Sequence, residues 1–183
     1  MTINLKLLIF SLLISSKTFG QLYATQSGET NFFSETPVEN ISATNKSVGA
    51  ILNTATNDLA VSMRMTAFEF PNKLMQEHFN ENYMESEKFP MGIFKGKIVE
   101  AIDYTKNGTY EVTAKGQLTL HGVTQARDLK GKLTVDNQKI NLVCNFDVKL
   151  TDHKIEVPKL VFAKIAEVIS IKSKYALTPY TKK

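Results

Sequence analysis

The sequence predicts an all-β protein of about eight antiparallel strands that close into a barrel or a tight sandwich, with one short helical excursion. Three observations support this fold class. From residue 21 onward apolar and polar residues alternate in successive runs, turn-forming residues separate the runs, and helical spacing occurs in one short stretch. Alternation places every second side chain on one face of a strand. With so little helix to cover those apolar faces, the sheet has to fold onto itself.

The amino-terminal segment has the organisation of a secretory signal peptide. Residues 1–6 are weakly basic, and the apolar run of residues 7–14 is too short to span a bilayer. Thr18 and Gly20 place small residues where a signal peptidase reads them. We therefore expect cleavage before Gln21, which leaves a periplasmic or secreted chain without a membrane anchor. The alternative is a buried amino-terminal helix.

The alternating runs are clearest in the middle of the chain and weakest in the first two. Lys106-Asn107-Gly108 and Asp136-Asn137 are the expected hairpin turns, because Asn-Gly tolerates the positive φ of a tight turn. In chain order, the predicted strands cover residues 30–36, 48–52, 59–65, 94–102, 110–120, 129–135, 140–150 and 169–177. Residues 21–183 then form a single domain.

The helical excursion is predicted at residues 71–79. Leu74, Met75, His78 and Phe79 recur at helical spacing, and Pro71 stands where a first helical turn accepts proline. We expect this short helix to lie across one end of the barrel. A second irregular stretch, residues 157–162, is a candidate for another lid.

Composition and charge exclude several classes of protein. The single cysteine, Cys144, rules out a disulfide framework and a cysteine-rich zinc site. The net charge of +4 falls to +2 once the two lysines of residues 1–20 are removed. The lysines and arginines of the chain are scattered singly along the predicted strands, so a nucleic-acid partner is not expected.

The chain offers little that points to catalysis or to a cofactor. His78, His121 and His153 fall in three different predicted elements, whereas a metal site needs three or four converging ligands. Cys144 alternates in phase with Leu142 and Phe146, so we expect a buried thiol that behaves as a small apolar group. The sequence therefore predicts a protein that is not an enzyme and binds neither metal nor cofactor.

Small residues on the apolar face are more informative. Gly96, Ala114, Gly116 and Gly131 fall on this face of three successive strands, where a filled core favours larger side chains. Glycine at these positions can allow the strands to bend sharply, as a tightly curved barrel requires. The missing side chains can instead leave a long apolar cavity for a chain-like ligand. Spacing alone leaves both explanations open.

A short motif adds a family resemblance. Residues 118–124 read L-T-L-H-G-V-T, which resembles the L-T-I/L-x-G-V-T signature of the YceI-like family. Residues 31–34 approximate the early Ser/Phe strand of that family, and residues 84–90 end in F-P before a strand, as in its helical excursion. The resemblance implies an extended lipocalin-like antiparallel barrel that bacteria export. It also implies that an apolar tunnel holds a long isoprenoid, such as a polyprenyl chain or a quinone tail.

The first hypothesis is therefore an exported carrier for a long apolar lipid, bound inside the barrel without catalysis. Whether the chain also forms a homodimer stays open. The residues expected to line the tunnel are the inward-facing members of the strands and of the excursion: Met63, Met65, Leu74, Phe79, Phe94, Gly96, Ile98, Val112, Ala114, Gly116, Leu118, Leu129, Gly131, Leu133, Leu142, Cys144 and Phe146.

Two other hypotheses belong to different classes of protein. A filled barrel could serve as an extracytoplasmic interaction module that binds a protein partner through residues 73–87. That hypothesis predicts an exposed patch that contains Phe79, Tyr83 and Met84. A lipid-modifying enzyme would need a polar pair opening into the tunnel, for which His78 with Glu77 or Glu81 is the only candidate.

Overall fold

A computed structural model of the chain describes residues 21–157 and 164–180. Each strand pairs antiparallel with the next, and the last strand pairs with the first, so the sheet closes into an eight-stranded barrel. The predicted fold class is confirmed. The strands are β1 (Leu22–Glu35), β2 (Asn40–Asn53), β3 (Asp58–Arg64), β4 (Met91–Ile98), β5 (Gly108–Leu120), β6 (Val123–Asp136), β7 (Lys139–Lys149) and β8 (Val168–Pro179).

The first two strands are much longer than the sequence predicts. Polar side chains hide their alternation, because Thr30, Ser34 and Asn45 are buried where an apolar residue was expected. The Asn45 amide is satisfied there, since its Nδ2 donates to the Arg64 carbonyl oxygen at 2.9 Å. Irregularities in the β1–β2 register around Gly28 shift the pattern further. A period-two search therefore recognises only part of each strand.

Tight turns join the later strands. His121 and Gly122, between β5 and β6, have φ values of 48° and 71°. Asn137 and Gln138, between β6 and β7, have φ values of 44° and 66°, one residue later than predicted. Both pairs therefore have the left-handed backbone that a two-residue hairpin turn requires.

The prediction of a hairpin turn at Asn107-Gly108 is wrong. Residues 99–107 form a longer connection between β4 and β5, and Gly108 is already the first residue of β5. The chain turns earlier, where the Asp103 carboxylate accepts a hydrogen bond from the Thr105 backbone N–H at 3.1 Å. This local side-chain bond competes with the Asn-Gly turn and replaces it. β4 accordingly ends at Ile98 rather than at residue 102.

The helical excursion lies between β3 and β4, as predicted. A short 3-10 turn at Met65–Ala67 precedes helix α1 (Lys73–His78), which continues into one π-helical turn at Phe79–Tyr83. The Asn72 side chain caps α1 by accepting a hydrogen bond from the Leu74 N–H at 2.9 Å. Residues 158–162 of the second predicted lid lie outside the described residues. Within the described ranges, no helix has the length and apolar character needed to cross a bilayer.

Two clusters of buried side chains form the interior. The larger one fills the barrel, and the smaller one lies where the excursion meets its end. Lysines next to the inward residues in sequence, such as Lys95 and Lys132, are exposed, as alternation requires. The predicted inward residues are confirmed as members of the larger cluster or as its direct neighbours: Phe94, Ile98, Val112, Leu118, Leu133, Leu142 and Phe146.

Candidate ligand cavity in the barrel

The barrel contains an apolar cavity of about 370 Å³, here named the large cavity, at the end that carries the helical excursion. This volume falls in the range of small-molecule binding sites. Residues of strands β1, β2, β3, β5, β7 and β8 line its sides, and the excursion contributes most of its roof. Its polar lining residues are few: Thr30, Ser34, Glu39, Asn72, His78, Tyr83 and Lys164.

Four phenylalanine rings form the roof. Phe32 comes from β1, Phe68 and Phe70 follow the 3-10 turn, and Phe79 follows α1. Their ring centroids lie 5.1 to 5.6 Å apart in tilted, edge-on and stacked pairs. Each such pair adds about 0.5–1.5 kcal/mol beyond burial of its area. The segment that carries Phe68 and Phe70 is fixed to β2 by two backbone hydrogen bonds between Thr44 and Glu69, of 3.1 and 2.9 Å.

The mouth of the large cavity is marked by lining residues that are also exposed. These are Asn72, Leu74, His78 and Lys164. The Lys164 ammonium lies 3.8 Å from a Glu39 carboxylate oxygen. Lys164 is exposed and Glu39 is half-buried, and an ion pair that solvent reaches in this way adds little stability. The cavity is therefore apolar within and polar at its opening.

A second cavity of about 70 Å³, here named the small cavity, lies further along the barrel axis. Where the large cavity touches β5 only at Leu118 and Leu120, the small one extends back along β5 to Val112. Four side chains line both cavities and so stand between them. We call them the divider: Met63, Leu118, Leu120 and Phe146.

The two cavities account for most of the residues that the sequence places along a tunnel, but in two groups. Met63, Met65, Leu74, Phe79, Leu118 and Phe146 line the large cavity. Those that line only the small cavity are Phe94, Ile98, Val112, Ala114, Leu129, Gly131, Leu142 and Cys144. Gly96, Gly116 and Leu133 line neither of the two. Sequence analysis missed the roof residues Phe32, Phe68 and Phe70, because their segments have no clear strand or helix period.

The inward glycines explain the shape of the barrel wall. Gly96 and Gly116 face each other across β4 and β5. A Cβ built on Gly96 would lie 2.5 Å from the Lys115 carbonyl oxygen, and one on Gly116 would overlap the Lys95 carbonyl oxygen and the Gly96 Cα. At these positions the backbone of the neighbouring strand occupies the space of a side chain. The geometry favours the curvature explanation for this pair, since the glycines let two strands approach closely.

A histidine links the excursion to the barrel. The Nε2 atom of His121 lies 2.7 Å from a Glu85 carboxylate oxygen, and its Nδ1 lies 3.1 Å from the His153 carbonyl oxygen. The ring also packs edge-on against Phe89, with 4.5 Å between centroids. His153 is fully buried, and its Nδ1 lies 3.1 Å from the Val123 carbonyl oxygen. The two histidines therefore meet as structural links, while His78 lies apart at the cavity mouth.

Three buried hydroxyl groups lie beside the two cavities. The Thr30 hydroxyl is 3.1 Å from both the Ser173 and the Tyr175 hydroxyl oxygens. Thr30 lines the large cavity, and its two partners line the small one. Burial raises the pKa of Tyr175. It also raises the pKa of Cys144 to about 11, so the only cysteine of the chain is a neutral thiol at physiological pH.

Comparison with known proteins gives one family and several similar folds. Residues 13–177 match the family model described as a YceI-like domain. The fold is similar to a polyisoprenoid binding domain from Saccharophagus degradans implicated in plant cell wall breakdown, with a TM-score of 0.75 and 11% identity over 88% of this chain and 99% of that one.

Two further solved structures are similar. BcnA of Burkholderia cenocepacia has a TM-score of 0.69 and 11% identity, over 82% of this chain and 96% of that one. A YCEI protein of Campylobacter jejuni has a TM-score of 0.59 and 15% identity, over 75% and 84%. At sequence identities this low, the structural similarity shows a shared fold and nothing more. Among curated proteins, no sequence matches this chain.

Proposed function

The chain belongs to the YceI-like family, and on that premise we propose that it is a carrier that holds the apolar chain of a lipid inside its barrel. The observation that carries this proposal is the large cavity, which is apolar within and polar at its mouth. An isoprenoid or the tail of a quinone fits that pattern, with its polar group near Asn72 and Lys164. The similar fold from Saccharophagus degradans, a polyisoprenoid binding domain, agrees with this choice of ligand.

Burial of apolar surface supplies the affinity of such a carrier. A ligand that buries a few hundred Å² gains several kcal/mol at about 25 cal/mol per Å², before the cost of association is subtracted. The polar pair that an enzyme would need is not assembled among the described lining residues, because His78 lines the large cavity whereas Glu77 and Glu81 do not. We therefore propose binding rather than catalysis. Export after cleavage before Gln21 is part of the proposal and rests on residues 1–20, which lie outside the described part of the chain.

The interaction-module hypothesis finds less support in the excursion. Its patch was expected to expose Phe79, Tyr83 and Met84, yet Met84 is buried in the smaller core cluster. Phe79 and Tyr83 pack against that cluster and line the large cavity. These side chains thus face a cavity rather than a partner.

The absence of tryptophan from the sequence makes a direct test possible. Phe79→Trp places the only tryptophan of the variant in the roof of the large cavity. Tyr180→Trp, at a residue that is 50% exposed, is the matched control. A lipid with a spin label on its apolar chain should quench the first tryptophan saturably, and farnesol should reverse the quenching. The control tryptophan should not respond. Equal quenching of both variants, or none of Phe79→Trp, would contradict the proposal.

A further inference from the structure

We propose that the divider sets the length of the bound chain, so that the barrel holds an isoprenoid chain of roughly three units rather than a long polyprenyl chain. This inference rests on the proposed function and adds the length of the bound chain. It departs from the long chain that the sequence suggested. The reason is that the described free space of the interior falls into two cavities, of about 370 Å³ and about 70 Å³, with the four divider side chains between them.

The divider is built from three different strands that meet in the barrel interior. Met63 comes from β3, Leu118 and Leu120 from β5, and Phe146 from β7. Contacts around Gly92 show how closely part of it is packed. A Cβ built there would lie 3.0 Å from Leu120 Cδ2 and 3.3 Å from Met63 Cγ. These side chains therefore fill the space over β4 that a continuing chain would need.

The barrel beyond the divider is largely filled. Several of its large aliphatic side chains are exposed by 1% or less, and the small cavity measures only about 70 Å³. The buried hydroxyls of Ser173 and Tyr175 also line that space. An apolar chain gains less against such hydroxyls than against hydrocarbon. The fully buried side chains include Leu52, Ile98, Leu133, Ile140 and Leu177.

Volume gives the length of chain that fits. A dry apolar cavity of about 150 Å³ holds one benzene ring, so the large cavity scales to roughly fifteen carbon atoms. That is about three isoprene units. Any further unit would project through the mouth past Asn72 and Lys164 into solvent, where it buries no surface. Affinity should therefore rise with chain length and then level off.

A series of prenyl alcohols tests this inference on the full chain. Geraniol, farnesol, geranylgeraniol and octaprenol would each be titrated into Phe79→Trp in competition with the spin-labelled lipid. We expect farnesol to bind at least about tenfold more tightly than geraniol, because the added unit is buried. Octaprenol should bind within about threefold of geranylgeraniol, because its added units are not buried. Octaprenol binding more than about tenfold tighter than geranylgeraniol would overturn the inference.

Opening the divider gives a second, independent readout. In the same Phe79→Trp background, Phe146→Ala and Met63→Ala each join the two cavities. Each should raise the affinity for octaprenol relative to farnesol by about tenfold. Leu177→Ala removes a fully buried side chain that lines neither cavity, and it should leave the ratio unchanged. An equal shift in the control, or none in either divider variant, would overturn the inference.

The two proposals fail in different ways. If no prenyl alcohol binds, the carrier function fails, and the proposed limit on chain length fails with it. If the alcohols bind and affinity keeps rising to octaprenol, the carrier function stands and the length limit fails. The length series in Phe79→Trp, with the divider intact, does not depend on whether a divider variant folds.

Discussion

Replacing Gly116 with alanine should destabilise the barrel, although alanine is the smallest side chain that can be added. The new Cβ would lie 2.8 Å from the Lys95 carbonyl carbon and would overlap the oxygen of the same carbonyl and the Gly96 Cα. Because these neighbours are backbone atoms, they cannot rotate away as the end of a side chain could. The β4–β5 ladder would have to separate locally.

Gly108, at the start of the same strand, provides the matched control. A Cβ there would meet only the Tyr110 side chain, at an ordinary contact distance of 3.5 Å. Glycine to alanine at a compatible site stabilises by about 0.4–1 kcal/mol, because the unfolded chain loses freedom. Overpacking at Gly116 should cost about 1–3 kcal/mol. The two variants should therefore differ by about 1.4–4 kcal/mol, with a central value of about 2 kcal/mol.

Urea unfolding followed by circular dichroism measures this difference. With a slope near 2 kcal/mol per molar urea, the midpoint of Gly116→Ala should fall about 1 M below that of Gly108→Ala. Equal midpoints would show that the strands at Gly116 have room for a side chain. The curvature explanation for this glycine would then be refuted.

Two further predictions follow from single side chains. His121→Asn keeps a residue that tolerates positive φ but loses the hydrogen bonds to Glu85 and to the His153 carbonyl oxygen. It should therefore lower the free energy of unfolding by about 2 kcal/mol, measured by calorimetry. An unchanged melting temperature would contradict this role of His121. Burial raises the pKa of Cys144 from 9.0 to about 11, so the folded state holds its proton more tightly than the unfolded state does. That contribution to stability is complete below pH 9 and is lost as pH rises through about 11, and Cys144→Ala should flatten this alkaline decline in urea titrations at stepped pH. A variant with the same alkaline slope as the wild type would contradict the assignment.

The sequence predicts the fold well where the inward positions of a strand carry apolar residues and the outward positions carry polar ones. In β5, Val112, Ala114 and Leu118 alternate with exposed polar residues and are buried as expected. In β1, Thr30 and Ser34 are buried although they are polar, because hydroxyl and backbone partners satisfy them. Those partners lie on distant parts of the chain, so local periodicity does not reveal them.

The candidate site is predicted less completely, for a related reason. The predicted strand residues do lie inside the barrel, but which of them face free space depends on how tightly their neighbours pack. Leu133 and Phe146 look alike in the pattern, yet only Phe146 borders a cavity. The roof rings Phe32 and Phe68 come together through tertiary contacts between segments without a common period. The division of the interior is likewise a property of packing.

The most direct test of the carrier function is mass spectrometry of the chain as it is purified from a bacterial host under native conditions. Intact-complex spectra would give the stoichiometry, and an organic extract of the same sample would identify the bound molecule. We expect about one apolar lipid per chain, with a prenyl chain of roughly three units. A chain that carries no lipid and takes up none when mixed with a total lipid extract would contradict the claim that the large cavity is a binding site.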